Sequence, residues 1–409
     1  MTAENENSKT KCRILSLDGG GIRGVLSARL LKEVEDNLAK EGHKLHTYFD
    51  FVAGTSTGSI LAAGIACQKS ADDMIKLYKE KGKDIFLDSV SKQRKKWRPI
   101  STLVGDNILG LRTISSKFFG DVLYPHKKGD QGLAKVLQEK LVLEGQSTPA
   151  NLKDIKELRI LIPAYDVDSR NTTWFCNPPD DEKHWYDDIE LWEICTASAS
   201  APTFFPPYNL LDKMKSRPHI DGGVSANNPS LIAIARAFEL DRELNWSNIA
   251  VLSIGTGQTT KSYSYEEIKR WGAASWAKNI PNIFMDPSAI SSETICRRMM
   301  TMQGGDYRNY LRLSFDLQDY YEEWKKNNKH IKKSEEKKKF EEFQEIDNPD
   351  NFDELIKAAQ WYLDKGYVDK YKDTWPDGEQ KVIEAIEDFI KTNPKPINDS
   401  NSDPDSESD

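Results

Sequence analysis

Long apolar runs, paired cysteines and a basic surplus are all missing from this chain of 409 residues. No uninterrupted apolar stretch comes near the roughly 18 residues that a membrane-spanning helix needs. The five cysteines, Cys12, Cys67, Cys176, Cys195 and Cys296, form no Cys-x-x-Cys pair and no zinc-type spacing. They therefore describe neither a disulfide framework nor a metal site, and they fit a reducing compartment. A net charge of -8 argues against a nucleic-acid binder. The opening residues Met1-Thr2-Ala3-Glu4-Asn5-Glu6-Asn7 are polar and acidic, so no Sec-type signal is visible. The expectation is a cytoplasmic or peripheral-membrane protein, with the note that export by a signal-independent route leaves no mark in a sequence.

Apolar residues are also scarce, 38% against 30% charged, which places a packed core in part of the chain and a polar helical or disordered remainder around it. The length allows one large α/β domain or two medium ones.

What is present centres on Phe49-Asp50-Phe51-Val52-Ala53-Gly54-Thr55-Ser56-Thr57-Gly58. Apolar residues run up to a Gly-x-Ser-x-Gly turn, and small and aliphatic residues continue from Ile60. That pattern predicts strand, sharp turn and helix with Ser56 at the apex. Gly54 and Gly58 are expected where strand and helix approach too closely for a Cβ. At a helix N-terminus, Ser56 would sit among unpaired N–H groups that favour developing negative charge. The plainer alternative is a serine-rich helix start.

Earlier in the chain, the buried strand Arg13–Leu17 runs into Asp18-Gly19-Gly20-Gly21-Ile22-Arg23-Gly24, and a helix is expected over 25–40. A loop of three glycines exposes N–H groups able to hold a phosphate or an oxyanion. It is no Walker A loop, since no Gly-Lys-Ser/Thr follows. A dinucleotide fingerprint on Gly19, Gly21 and Gly24 lacks the acidic residue it needs at the end of a second strand. Arg23 reads equally as an anion-binding group or as a salt-bridged loop anchor. Residues 83–130 hold a basic run, Lys92-Gln93-Arg94-Lys95-Lys96-Trp97-Arg98, and the pair Phe118-Phe119. They read as a solvated loop or as a lid and interfacial insertion.

Two adjacent strands are expected over 158–165 and 172–176, and a short helix over 191–200. A strand then ends at Asp221 in His219-Ile220-Asp221-Gly222-Gly223, at the edge where ligands gather in open α/β sheets. Another buried strand covers 249–254. From 264 onward helices are expected over 264–280, 287–303, 317–345, 350–365 and 378–391, with a short strand at Tyr310–Leu313 on the sheet edge.

A glycine loop, a serine elbow and a strand-end aspartate, in that order on one sheet, resemble the patatin-like phospholipase (patatin-like lipid acyl hydrolase) family. The carriers are Asp18–Gly24, Gly54–Gly58 and Asp221-Gly222-Gly223, with the block Ala199–Pro206 before the aspartate. Ser59 stands where a glycine commonly follows the elbow. The resemblance covers about residues 11 to 365 and is densest before 260. It implies a three-layer α/β/α fold with a central, mostly parallel sheet, a nucleophile elbow and a helical C-terminal extension. On this reading residues 1–11 are a disordered arm, 12–315 the catalytic domain, 316–392 a charged helical region packed on it, and 393–409 a disordered acidic tail.

The implied chemistry is a Ser–Asp dyad without histidine. Ser56 is the nucleophile, Asp221 its base, and the N–H groups of Gly19, Gly20 and Gly21 hold the oxyanion, with Arg23 a candidate contact for a lipid headgroup. An ordinary aspartate is a weak base for serine, so burial must raise its pKa. No cofactor or metal is called for, and calcium is not needed for the chemistry. A triad using His219, two residues before Asp221 on one strand face, is the conventional alternative. The implied partners are a membrane glycerolipid substrate, transient contact with a membrane surface, and an activating protein or small molecule that would leave no motif. The implied activity is that of a phospholipase A or lysophospholipase. The competing readings are a non-catalytic storage or lipid-binding protein and a nucleotide-binding module.

Overall fold

A strand that is apolar on both faces is satisfied only between two covering layers. The computed structural model describes residues 11–92, 94, 123–177, 183–258, 263–302, 307–329, 333–368 and 379–397. In it β1 (Cys12–Leu17), buried from Arg13 onward, lies mid-sheet. It runs parallel to β2 (Phe51–Gly54) on one side and to β7 (Ile249–Ile254) on the other, with Leu15 opposite Val52 and Leu252. β3 (Arg159–Asp166) extends the parallel set beyond β2, and β8 (Tyr310–Leu313) extends it beyond β7. The far flank turns antiparallel: β4 (Asn171–Cys176) and β6 (Lys215–Asp221) both pair with β3, and β5 (Tyr208–Asp212) pairs with β6. The order is β5-β6-β3-β2-β1-β7-β8, with β4 branching from β3.

Alternation along the strands divides the core in two. Leu15, Leu17, Val52, Ile160 and Ile162 face α1 (Gly24–Lys40), α2 (Thr57–Ala66) and α3 (Ala71–Ile85). Ile14, Phe51, Ala53 and Leu161 face the opposite way, toward α5 (Ser230–Leu240) and α6 (Ala273–Met302); the helix α4 (Leu191–Ser198) packs on the first side. The result is the expected three-layer α/β/α arrangement around a mostly parallel sheet.

One register detail places the site. β3 outruns β2, pairing with it through Leu161 and with β6 from Ala164 onward. β4 occupies the other edge of β3 over the same stretch. The end of β6 therefore arrives directly beyond the end of β2, and Asp221 meets the turn that carries Ser56.

The C-terminal helices differ from the expectation. Residues 273–302 form one helix through Pro281 and Pro287, where a break between 280 and 287 is expected. Each proline removes one N–H donor, and packing of α6 against α5 outweighs that loss. The single helix expected over 317–345 is two, α7 (Leu317–Asn327) and α8 (Lys333–Phe343), followed by α9 (Phe352–Lys365) and α10 (Val382–Thr392). Of the β5–β6 hairpin only the end of β6 at Asp221 is anticipated; β5 and the turn are not.

Residues 393–397, expected to belong to a tail, are instead tied to the fold. Asn393 is fully buried; its carbonyl accepts from Arg13 Nε at 3.0 Å and Tyr48 Oη at 2.8 Å, and its side chain accepts from Lys11 Nζ at 2.6 Å. Lys395 Nζ bonds Asp50 at 2.7 Å. The residues after α10 thus satisfy buried groups at the start of β1, and Lys11 is held with them. Residues 1–10, most of the 83–130 insertion (including Phe118-Phe119 and the basic run apart from Lys92 and Arg94) and 398–409 lie outside the described residues. Among the described residues no helix is long and apolar enough to cross a membrane.

Candidate active site

The turn after β2 forces Ser56 into a conformation few side chains adopt, φ 54° and ψ -121°. Backbone of this kind costs on the order of 1–3 kcal/mol and persists only where its surroundings hold it. The glycines behave as their spacing predicts. A Cβ on Gly54 would lie 2.1 Å from the Gly58 carbonyl oxygen, and one on Gly58 would lie 2.2 Å from that of Leu17. Two serines brace the elbow. The Ser56 N–H donates to Ser198 Oγ at 3.0 Å, and Ser198 Oγ donates to the Pro163 carbonyl at 2.7 Å. Ser59 donates to the Ser56 carbonyl at 2.6 Å, so the residue that stands in place of the commoner glycine adds a hydrogen bond within the turn.

Ser56 Oγ donates to Asp221 Oδ2 at 2.6 Å, and the other carboxylate oxygen accepts from the Gly223 N–H at 2.7 Å. Asp221 is 1% exposed. Burial pushes its pKa up to about 6, against the opposing pull of the Ser56 and Gly223 hydrogen bonds. A carboxylate so placed accepts a proton from serine far more readily than an exposed one does.

His219 lies apart from this pair. It is fully buried, its Nδ1 donates to the Arg217 carbonyl at 2.8 Å, and its Nε2 stands 3.3 Å from Thr173 Oγ1. Burial lowers its pKa. With Ser56 bonded directly to Asp221, the triad alternative has no place for its histidine.

The glycine loop passes close to the serine: a Cβ on Gly19 would come within 3.1 Å of Ser56 Cβ. Its amides are not equivalent. The Gly19 N–H donates to the Asn227 carbonyl at 3.2 Å, so of the three expected oxyanion donors this one is already committed. Neither Gly20 nor Gly21 has an acceptor for its N–H among the described residues, and Thr57, first residue of α2 and neighbour of Ser56, is in the same state. Thr57 is a donor that the three-glycine motif does not point to, although the residue after an elbow serine is a regular source of such an N–H. The loop is fixed from below by Asp18, which accepts two hydrogen bonds from the Arg312 guanidinium of β8, 2.8 Å at Oδ1 and 2.5 Å at Oδ2. Arg312 also donates to Ser253 Oγ at 2.7 Å, and Thr256 Oγ1 donates to the Gly19 carbonyl at 2.9 Å. Nothing near Arg312 in sequence signals this role, because the pair joins residues 294 apart.

Arg23 is buried and does not line the pocket. Its Nε has no hydrogen-bond partner among the described residues, burial lowers its pKa, and the charge of Asp286 opposes that shift.

Ser56 and Asp221 open into a pocket whose other walls are almost wholly apolar, among them Ile60, Phe86, Leu133 and Phe205. Ile346, from the segment between α8 and α9, closes one side, and its carbonyl accepts from the Ile22 N–H at 2.8 Å. The free volume is about 40 Å³. A strained elbow serine, a buried carboxylate and an apolar slot on a three-layer sheet define an α/β protein with the constellation of a serine hydrolase. The chain belongs to the patatin-like phospholipase family, whose sequence profile matches residues 15–234.

Among its relatives, Patatin-like protein 4 of Arabidopsis thaliana is 30% identical over 295 residues, 65% of this chain and 65% of that protein. A cGAMP-activated phospholipase of Vibrio cholerae is 30% identical over 261 residues, 62% and 66% of the two chains. The alignments thus span about two thirds of each partner. Among solved structures, VipD from Legionella pneumophila aligns over 85% of this chain and 67% of its own, with a TM-score of 0.35 and 11% identity.

Proposed function

We propose that this chain is a lipid acyl hydrolase of the phospholipase A or lysophospholipase type, acting through Ser56 and Asp221 without histidine or calcium. The observation that carries the reading is the 2.6 Å hydrogen bond from Ser56 Oγ to a buried carboxylate inside an apolar pocket. Asp221 takes the hydroxyl proton as Ser56 Oγ attacks the ester carbonyl, and returns it to the departing alcohol; water then cleaves the acyl-enzyme with Asp221 again as base. The N–H groups of Gly20, Gly21 and Thr57, without acceptors among the described residues, are the oxyanion donors of this reading, each worth about 2.7–4 kcal/mol in related chemistry. Arg23, buried and off the pocket wall, would supply a positive potential near the glycine loop rather than the headgroup contact expected of it. The family and the phospholipase named among the relatives support a glycerolipid substrate at a membrane surface. The same relative makes an activating small molecule a reasonable partner to screen. Fatty-acid release from phospholipid vesicles in the presence of a chelator tests the proposal, with Ser56→Ala and Asp221→Asn as controls; release that survives either substitution refutes it.

A further inference from the structure

A hydrolase of bilayer lipids needs a surface that holds it against the bilayer with its pocket facing inward. We infer that the tip of the β5–β6 hairpin is this surface and that its partner is a phospholipid membrane; the inference rests on the lipid-hydrolase reading. The first observation is where the hairpin points. β6 pairs with β3 only over His219–Asp221, and β3 runs parallel to the strands whose ends carry the glycine loop and Ser56. From Asp221 back to Lys215 the hairpin therefore advances out of the catalytic end of the sheet by about 20 Å, six residues at roughly 3.3 Å each. Its first strand starts three residues after Phe205, a wall of the pocket.

The second observation is what the tip carries. Met214 is 97% exposed and Leu211 60%. Met214 is the most exposed large apolar side chain among the described residues, and Leu211 stands on the same hairpin. Val167, in the turn after β3, is also exposed, and its N–H donates to the Pro218 carbonyl of the hairpin. Lys213 and Lys215 flank Met214. Lys215 lies 3.7 Å from Asp168, Arg217 is paired with Asp212, and Lys213 has no acidic partner among the described residues. An unbranched apolar side chain between two lysines matches the boundary of a bilayer, where the thioether enters the acyl region and the ammonium groups reach phosphates. A protein groove would give the apolar tip a place but would not call for cations on both sides of it.

The test uses the full chain carrying Ser56→Ala, so that vesicles are not consumed, with flotation on phosphatidylcholine vesicles with and without phosphatidylglycerol. Binding is expected, stronger with phosphatidylglycerol. Met214→Asp should weaken it at least about tenfold, Lys213→Glu should remove the preference for phosphatidylglycerol, and Met214→Trp should tighten it. In the chain with Ser56 intact, hydrolysis of a water-soluble short-chain ester should be the same with Met214→Asp as without it. Vesicle binding unaffected by Met214→Asp overturns the inference, as does a chain that binds neither vesicle; a hairpin that docks on a protein gives the first of these results. A chain that binds vesicles through Met214 but hydrolyses no soluble ester would instead leave the docking surface standing and remove the hydrolase reading.

Discussion

The chemistry at the residue scale turns on one carboxylate held against its preference. Asp221 titrates near pH 6 because burial disfavours its charge. As the base it must be ionised, so kcat/KM for a soluble ester should rise with pH to about 6 and level off above it. A flat profile from pH 4 to 8 would remove Asp221 from that role. The raised pKa also predicts an effect on stability. The folded state binds the proton more tightly than the unfolded state, whose aspartate titrates near 3.8. Stability from this group is therefore present below about pH 4 and is lost as pH rises through 6. Asp221→Asn should accordingly stabilise the protein at pH 8 by up to about 3 kcal/mol, since each pH unit between the folded and unfolded titrations is worth about 1.4 kcal/mol, and by little at pH 3.5; urea unfolding at the two pH values reads this directly. Arg312 works in the opposite direction. Arg312→Met leaves Asp18 buried and uncompensated and should cost about 3–5 kcal/mol, part of which the double variant with Asp18→Asn recovers. Ser56, Asp221 and the glycine loop are legible in the sequence because local turn chemistry gives them their residue types. Ser198 and Arg312 are not, because what makes them matter is a register set by the whole sheet.

The decisive contacts between elements are those of the glycine loop, the elbow and the segment between α8 and α9. Ile346 closes the pocket and its carbonyl holds the Ile22 N–H, while Asp347 accepts from Tyr124 Oη at 3.1 Å and pairs with Arg94 at 3.2 Å. The pocket's free volume is about 40 Å³, and this segment forms one of its walls through Ile346. Ile346→Ala should raise the rate on long-chain esters severalfold while changing the rate on acetyl esters little; equal effects on both would place the constriction elsewhere. The element pattern explains what the sequence concealed. β1, β2 and β7 are mostly apolar and almost wholly buried, and are read without difficulty. β5 and β6 carry Asp212, Lys215 and Arg217 where they run beyond the end of β3, so their alternation is weak. α6 runs through two prolines that would ordinarily divide it.

For the whole molecule, the two ends of the described chain are joined. Asn393 and Pro394 give Arg13 Nε and Nη2 their carbonyl acceptors, and Asn393 gives Tyr48 its acceptor. A chain ending at Thr392 would leave those buried donors unpaired, at about 1–3 kcal/mol each. It should unfold at clearly lower urea concentration than the full chain, and an unchanged midpoint would show that these contacts contribute nothing. This closure is invisible in the sequence, where Asn-Pro-Lys-Pro reads as the start of a tail. Whether Ser56 and Asp221 together hydrolyse lipid esters is decided by fatty-acid release from mixed phospholipid vesicles with chelator present. Unmodified protein should release fatty acid, and Ser56→Ala and Asp221→Asn should each lower the rate by roughly 10⁴-fold while remaining folded. Release that persists in Ser56→Ala, or that disappears with the chelator alone, would overturn the dyad.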